Sequence, residues 1–405
     1  MISMTGRFGW LFVLFLSGML VSLHSWDRIA SYIKLDRTLF PWLCAFIQVS
    51  VGLWLAISIS RFQRRTGLII GVVALLIVTM LFSLIFPPLN RGEIISGGSD
   101  RDEALNVATQ ALLNGQYPYT ATGAVPASHS SVGPGGNPIS PLPGELILAA
   151  PFIALIGEGA WQNPFWLSVF WITLAWYFGT KTVFQPAPAS GVLVLLLSSP
   201  TITIGEIIAG GDLLTITLIL LISCIWIRRA EHPVSRILAG ILCGLAIATR
   251  PHFFIILPLL FAAMLNSGIV SASRRMLWVA VVVTGVVVPF WIWNPPRFSP
   301  LHAGSLALSF NDTLPYANFW LYSGLFISLG LFGYGIVKDY CSFEMAVGVI
   351  LLFPVLFFTM LATLKSVHFN WQYAFYGISG WVFLITAAWQ SPAGRADAYR
   401  QPDEP

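Results

Sequence analysis

Thirteen blocks of apolar residues set the pattern of this chain: 8–25, 39–60, 67–88, 145–157, 163–183, 189–205, 211–228, 237–250, 253–266, 276–294, 320–337, 345–364 and 370–389. A bilayer-spanning helix needs about 20 mostly apolar residues, and blocks 67–88 and 345–364 run to that length without a single charge. The strands of outer-membrane barrels show short alternating patterns, and these continuous blocks do not. The pattern predicts an all-α polytopic integral membrane protein. Composition agrees: 56% of residues are apolar and 9% charged, against about 25% charged in soluble domains. So little charge cannot cover a water-facing surface, and the whole of 1–405 reads as one transmembrane domain with no separate soluble part. The net charge of +4 comes with no basic tail and no basic patch interleaved with aromatics, so nucleic acid is not an expected partner. Cys44, Cys224, Cys243 and Cys341 are scattered and form no CxxC pair; they read as small core residues.

Charge placement gives an orientation. The positive-inside rule assigns 61–65, 228–236, 274–275 and both termini to the cytoplasm. The inner side then holds 13 Lys/Arg and 6 Asp/Glu, and the outer side 8 and 11. Loop 89–144 falls outside and loop 229–236 inside, yet four apolar blocks lie between them, so one cannot cross. Block 145–157 is short and interrupted by Pro151, as a re-entrant or interfacial helix is. The expectation is about twelve crossings plus one half-inserted helix, in the inner (plasma) membrane. The run after Arg7, 8–23, lacks a small-residue cleavage site and reads as an uncleaved first helix.

The long outer loop carries its own helix signal at 102–113. Asp102 and Glu103 stand at its start, where negative charge suits the helix dipole. Leu105, Ala108 and Leu112 share one face, and Gly115 stops it. The spacing predicts a short helix lying on the membrane surface. A second outer loop, 295–319, carries Arg297, His302 and Asp312.

Charges in or beside spanning helices are costly and are functional candidates by default. Three groups fall on the outer side: Asp100-Arg101-Asp102-Glu103; Glu206 with Gly210-Gly211-Asp212; and Arg250 with His252. Carboxylates facing a fixed guanidinium suit a polar, anionic substrate at the membrane boundary. Arginine grips phosphate through two parallel hydrogen bonds, and an aspartate can take a proton from a hydroxyl. Each has a plain structural alternative. Asp102 and Glu103 can simply begin a helix, Asp212 can cap helix 211–228, and Arg250 can anchor at the interface. Asp100-Arg101-Asp102 has the spacing of a DxD motif, but a metal is not expected. Glu206, set among isoleucines, is the hardest to dismiss as solvated. His368, Trp371 and Tyr373 read as part of an interfacial aromatic belt.

The order of the pieces carries a further reading. An outer-loop Asp100 or Asp102 is followed by Ala111-Leu-Leu-Asn-Gly115-Gln-Tyr-Pro118-Tyr119, then by the Pro-rich Asn137-Pro-Ile-Ser-Pro141-Leu-Pro143-Gly. Gly210-Gly211-Asp212-Leu-Leu comes next, then Ala239-Gly240-Ile-Leu-Cys-Gly244-Leu-Ala-Ile-Ala-Thr-Arg250-Pro251. In this order the chain resembles the membrane-embedded GT-C glycosyltransferases, family 87 above all, the polyprenol-phosphate-mannose-dependent mannosyltransferases. The likeness spans 90–265 in pattern and the whole chain in topology. Arg250 stands where the family usually has Lys, and Gly211-Asp212 where it has a Gln-Asn pair; Asp102-Glu103-Ala104 is closer to family 39. The resemblance implies a GT-C-like fold and an inverting transfer of a sugar, mannose or another hexose or pentose, from a polyprenyl-phosphate donor to a glycan or glycolipid hydroxyl. Asp102 would be the base, with Asp100 and Glu103 as alternatives. Arg250, His252, Asp212, Glu206, Arg101 and Tyr119 would line the substrate and phosphate site. No cofactor is required. The rival expectations are a secondary transporter or lipid flippase, which internal repeats would favour though none is evident, and a non-catalytic assembly subunit.

Overall fold

The computed structural model describes residues 4–35, 39–90, 100–123, 139, 141–179, 184–300, 307–366, 370 and 373–390. Among them are fourteen α-helices and no strand: α1 (Met4–Tyr32), α2 (Phe40–Ser60), α3 (Arg64–Asn90), α4 (Asp100–Leu113), α5 (Pro143–Ile156), α6 (Gln162–Tyr177), α7 (Pro186–Leu197), α8 (Leu213–Arg229), α9 (Pro233–Ile247), α10 (Leu257–Met264), α11 (Ile269–Trp293), α12 (Ala317–Val337), α13 (Phe343–Ser366) and α14 (Ile378–Trp389). Within the described residues, each apolar block read from the sequence falls mainly on helix. The loop helix is present too, as α4. The fold is all-α.

By length and apolarity α2, α3, α11, α12 and α13 can each cross a membrane. Two bent pairs raise the number to seven if each counts as one span: α5 with the segment Gly159–Tyr177, bent by 104°, and α7 with Thr201–Ile208, bent by 84°. The first bend falls at the block that parity marked as half-inserted. Along the lipid-type face of α3, Leu76, Ile77, Met80 and Leu84 are each about 60% exposed or close to it (64%, 54%, 62% and 60%). Contiguous exposed apolar surface of this kind has no place in water, and the chain is a membrane protein.

The chain divides into two compact units. The first holds 1–78, 168–205 and 307–405, and the second 79–167 and 206–306. In the first, polar side chains join helix backbones across the apolar interior. The Ser190 hydroxyl donates to the Gly67 carbonyl (2.7 Å) and receives the Trp171 indole N–H (3.0 Å). The Tyr177 hydroxyl donates to buried Glu344 (2.7 Å). In the second, α9 packs along α11 through small residues. A Cβ on Gly240 or Gly244 would stand 2.7 Å from the Cβ of Trp278 or Val282, so glycine lets the two backbones approach, as small residues do between membrane helices. Arg275 of α11 is 9% exposed and donates to the Ile227 and Arg228 carbonyls at the end of α8 (2.5 and 2.9 Å). It thereby satisfies acceptors that a helix terminus leaves open.

The apolar face of α4 does not rest on a bilayer surface. Leu105 and Ala108 are buried and join Leu142, Leu146, Ala149 and Ile153 in the core of the second unit, with Leu112 packed against them. The helix is a structural member of that unit because α5 offers a continuous apolar partner for its one apolar face.

Candidate functional site

The site grows from the end of α9. Arg250 precedes Pro251, and a residue before proline is driven into extended backbone; Arg250 lies at φ −139° and ψ 139°. The chain leaves the helix there, and the Ala248 and Thr249 carbonyls are free to accept the N–H groups of Gly144 and Leu142, both at 2.9 Å. A Cβ on Gly144 would lie 2.4 Å from the Leu245 carbonyl oxygen, so only glycine permits this contact. Pro143 in the first turn of α5 costs no hydrogen bond. The seam of α5 on α9 sets Glu145, fully buried, beside Arg250: Oε2 is 3.4 Å from the guanidinium Nε.

A second segment supplies two more carboxylates. Residues Thr201–Ile208 form a π-helical stretch, a rare geometry frequent at functional sites, and it carries Glu206. Asn163 of α6 holds the turn that follows: its amide N–H groups donate to the Glu206 and Gly211 carbonyls (2.9 and 3.0 Å), while its oxygen accepts from the Thr215 hydroxyl (2.6 Å). Asp212 stands at the N-cap of α8 but makes no capping bond. Glu206 caps instead, accepting from the Leu214 N–H at 3.0 Å. Asp212 is thereby released for ion pairing with Arg101 and Arg250.

Arg101 of α4 closes the group. It donates to Glu206 (2.9 Å) and to Asp212 (3.1 Å), and Arg250 donates to the other oxygen of Asp212. Two guanidiniums and three carboxylates thus form one chain, Glu206–Arg101–Asp212–Arg250–Glu145. The carboxylates are almost wholly buried, while Arg101 is 29% and Arg250 11% exposed. Removing one partner from such a group leaves a charge stranded, which typically costs about 3–5 kcal/mol.

Asp102 sits next to this chain and outside it. It is 1% exposed, and neither carboxylate oxygen has a hydrogen-bond partner among the described residues. It faces Gly210, whose φ of +77° suits glycine; a Cβ there would meet the Phe86 ring at 2.7 Å and the Asp102 carboxylate at 3.1 Å. Burial holds the Asp102 carboxyl well above the ordinary carboxylate range, and the charges of Glu158 and Glu103 raise it further. An unsatisfied buried carboxylate is costly.

The structure therefore brings together Arg101, Asp102, Glu206, Asp212 and Arg250 from three separate sequence groups. Glu103 adjoins Asp102 on α4. Asp100 opens α4, but its side chain lies outside the described residues, as do 124–138, His302, His368 and Trp371. His252 is exposed and sets its ring edge-on to Phe253 (4.5 Å); it makes none of these ion pairs, but the charge of Arg250 reaches it. Tyr119 is buried and donates to the Pro141 carbonyl (3.0 Å), edge-on to Tyr117 and Phe298; its partner is structural, and burial pushes its phenol up. Sequence reasoning missed Glu145 and Asn163. Glu145 was visible as the single charge at the head of an apolar block. Asn163 was not, because its role depends on a turn 43 residues away. Among the described residues no three His, Cys, Asp or Glu side chains converge so as to hold a metal ion.

Comparison with known proteins finds no family model that matches the chain, no similar curated protein and no similar solved structure.

Proposed function

We propose that this protein is a membrane glycosyltransferase of the GT-C type, related in pattern to family 87, that moves a sugar from a polyprenyl-phosphate donor to a hydroxyl of a glycan or glycolipid. The observation that carries the reading is Asp102: a buried carboxylate without a hydrogen-bond partner among the described residues, on the helix of the long loop, facing Gly210 in the turn that leads to Asp212 of the ion-pair chain. Asp102 accepts the proton of the acceptor hydroxyl. The hydroxyl oxygen bonds to the anomeric carbon as the bond from that carbon to the phosphate oxygen breaks, and the configuration inverts. The polyprenyl phosphate departs with the electron pair. Arg250, and Arg101 behind it, meet the phosphate by exchanging carboxylate contacts for phosphate contacts. The raised proton affinity of Asp102 suits a general base, which works best with a pKa near the operating pH. About twelve crossings in the inner membrane, cytoplasmic termini and an outward-facing site belong to the same proposal.

One observation favours a second reading. Asp102, Glu145, Glu206 and Asp212 outnumber Arg101 and Arg250, and buried acids in membrane proteins also serve as proton relays. A proton-coupled transporter would use Asp102 as the carrier. Purified protein in liposomes, given radiolabelled polyprenyl-phosphate sugars and acceptor lipids, separates the two. Acceptor-linked label supports the transferase. A proton flux coupled to solute uptake, with no label transferred, supports the transporter.

A further inference from the structure

Four residues after Asp102, on the same face of α4, Asn106 joins the helix to the turn that follows α5. Its oxygen accepts the Gly159 N–H at 2.8 Å, and its amide donates to the Glu158 carboxylate. The other Glu158 oxygen accepts from Asn90 at the end of α3 (3.1 Å), and the Ala160 N–H adds a long contact (3.5 Å). Among the described residues every partner of Glu158 is thus a neutral N–H. Neutral amide donors do not cancel the charge of a carboxylate. The cations nearby are committed elsewhere: Arg101 to Glu206 and Asp212, Arg250 to Asp212 and Glu145. Glu103, next along α4, adds a further negative group.

We propose that Glu158 is a positioning residue for Asp102, fixing the face of α4 that carries it and setting, through an uncompensated charge, the pH at which Asp102 takes up its proton. This rests on the reading of Asp102 as the base, but the coupling can be measured without transfer. A base buried beside a second anion holds a proton more firmly than one beside water, so Glu158 makes Asp102 a stronger acceptor for a hydroxyl proton. The electrostatic sign matches the raised carboxyl described above.

The experiment is an infrared pH titration of the full chain in lipid nanodiscs. The carboxyl band of Asp102 is identified as the one lost in Asp102→Asn, and its midpoint is followed in Glu158→Gln, Glu158→Ala and Glu158→Asp. Removing the charge should lower the midpoint by about one pH unit, while Glu158→Asp, which keeps the charge, should stay near the parent. Either charge-removing variant that yields folded protein suffices. An unchanged midpoint would overturn the proposal whatever happens to transfer. A shifted midpoint in a protein that transfers no sugar would keep the coupling and sink the transferase reading alone.

Discussion

In the proposed transfer, Asp102 and Arg250 divide the chemistry at the scale of single residues. Asp102→Asn keeps the shape and removes the base. Because the parent carboxyl ionises only above the ordinary carboxylate range, transfer should rise with pH through that raised midpoint. Glu158→Gln should carry the acidic limb of the profile to lower pH, and rates measured across pH would reveal a fixed limb if the coupling is absent. Arg250 bridges Asp212 and Glu145. Arg250→Ala strands the buried Glu145 and leaves Asp212 with Arg101 alone, and should cost about 3–5 kcal/mol of stability as well as activity. Arg250→Lys keeps a charge but loses the planar fork and should keep partial transfer. Parent-like stability in Arg250→Ala, read by thermal unfolding in detergent, would mean that Asp212 and Glu145 do not depend on it.

Secondary elements bring these residues together, and here the sequence was legible to different depths. Apolar blocks mark helices because a bilayer leaves a backbone few alternatives, so α1 to α14 follow the reading closely. The start of α4 was visible in Asp102-Glu103 and its end in Gly115. The π-helical stretch around Glu206 carries no composition signal, and the bond by which Asn163 holds the turn at Gly211 spans 48 residues of sequence. The burial of α4 was also hidden: a short apolar face looks the same whether it meets lipid or α5. The seam of α5 on α9 depends on Gly144, so Gly144→Ala should cost about 1–3 kcal/mol by overpacking and should loosen Glu145 from Arg250. Double-mutant stability of Gly144→Ala with Glu145→Gln tests this, since simple additivity would place the two effects in independent structures.

At the scale of the whole molecule, Lys/Arg placement assigns Arg101, Glu206, Asp212 and Arg250 to one membrane face, and these four side chains form ion pairs with one another. Ser235, exposed in the first turn of α9, is assigned to the opposite face by the same Lys/Arg rule. A cysteine there should react only with reagent admitted to the cytoplasm, and one at Ser130 only with external reagent; labelling of both from one side contradicts the topology. Identity of function remains with the site, because a helical membrane architecture serves enzymes and transporters alike. The most direct measurement is sugar transfer by the purified protein from a radiolabelled polyprenyl-phosphate donor, with donor binding measured in parallel, for the parent and Asp102→Asn. The account predicts transfer by the parent, and unchanged donor binding with a rate lower by about 10²–10⁴ in the variant. No transfer by the parent, or equal transfer by both, would contradict it.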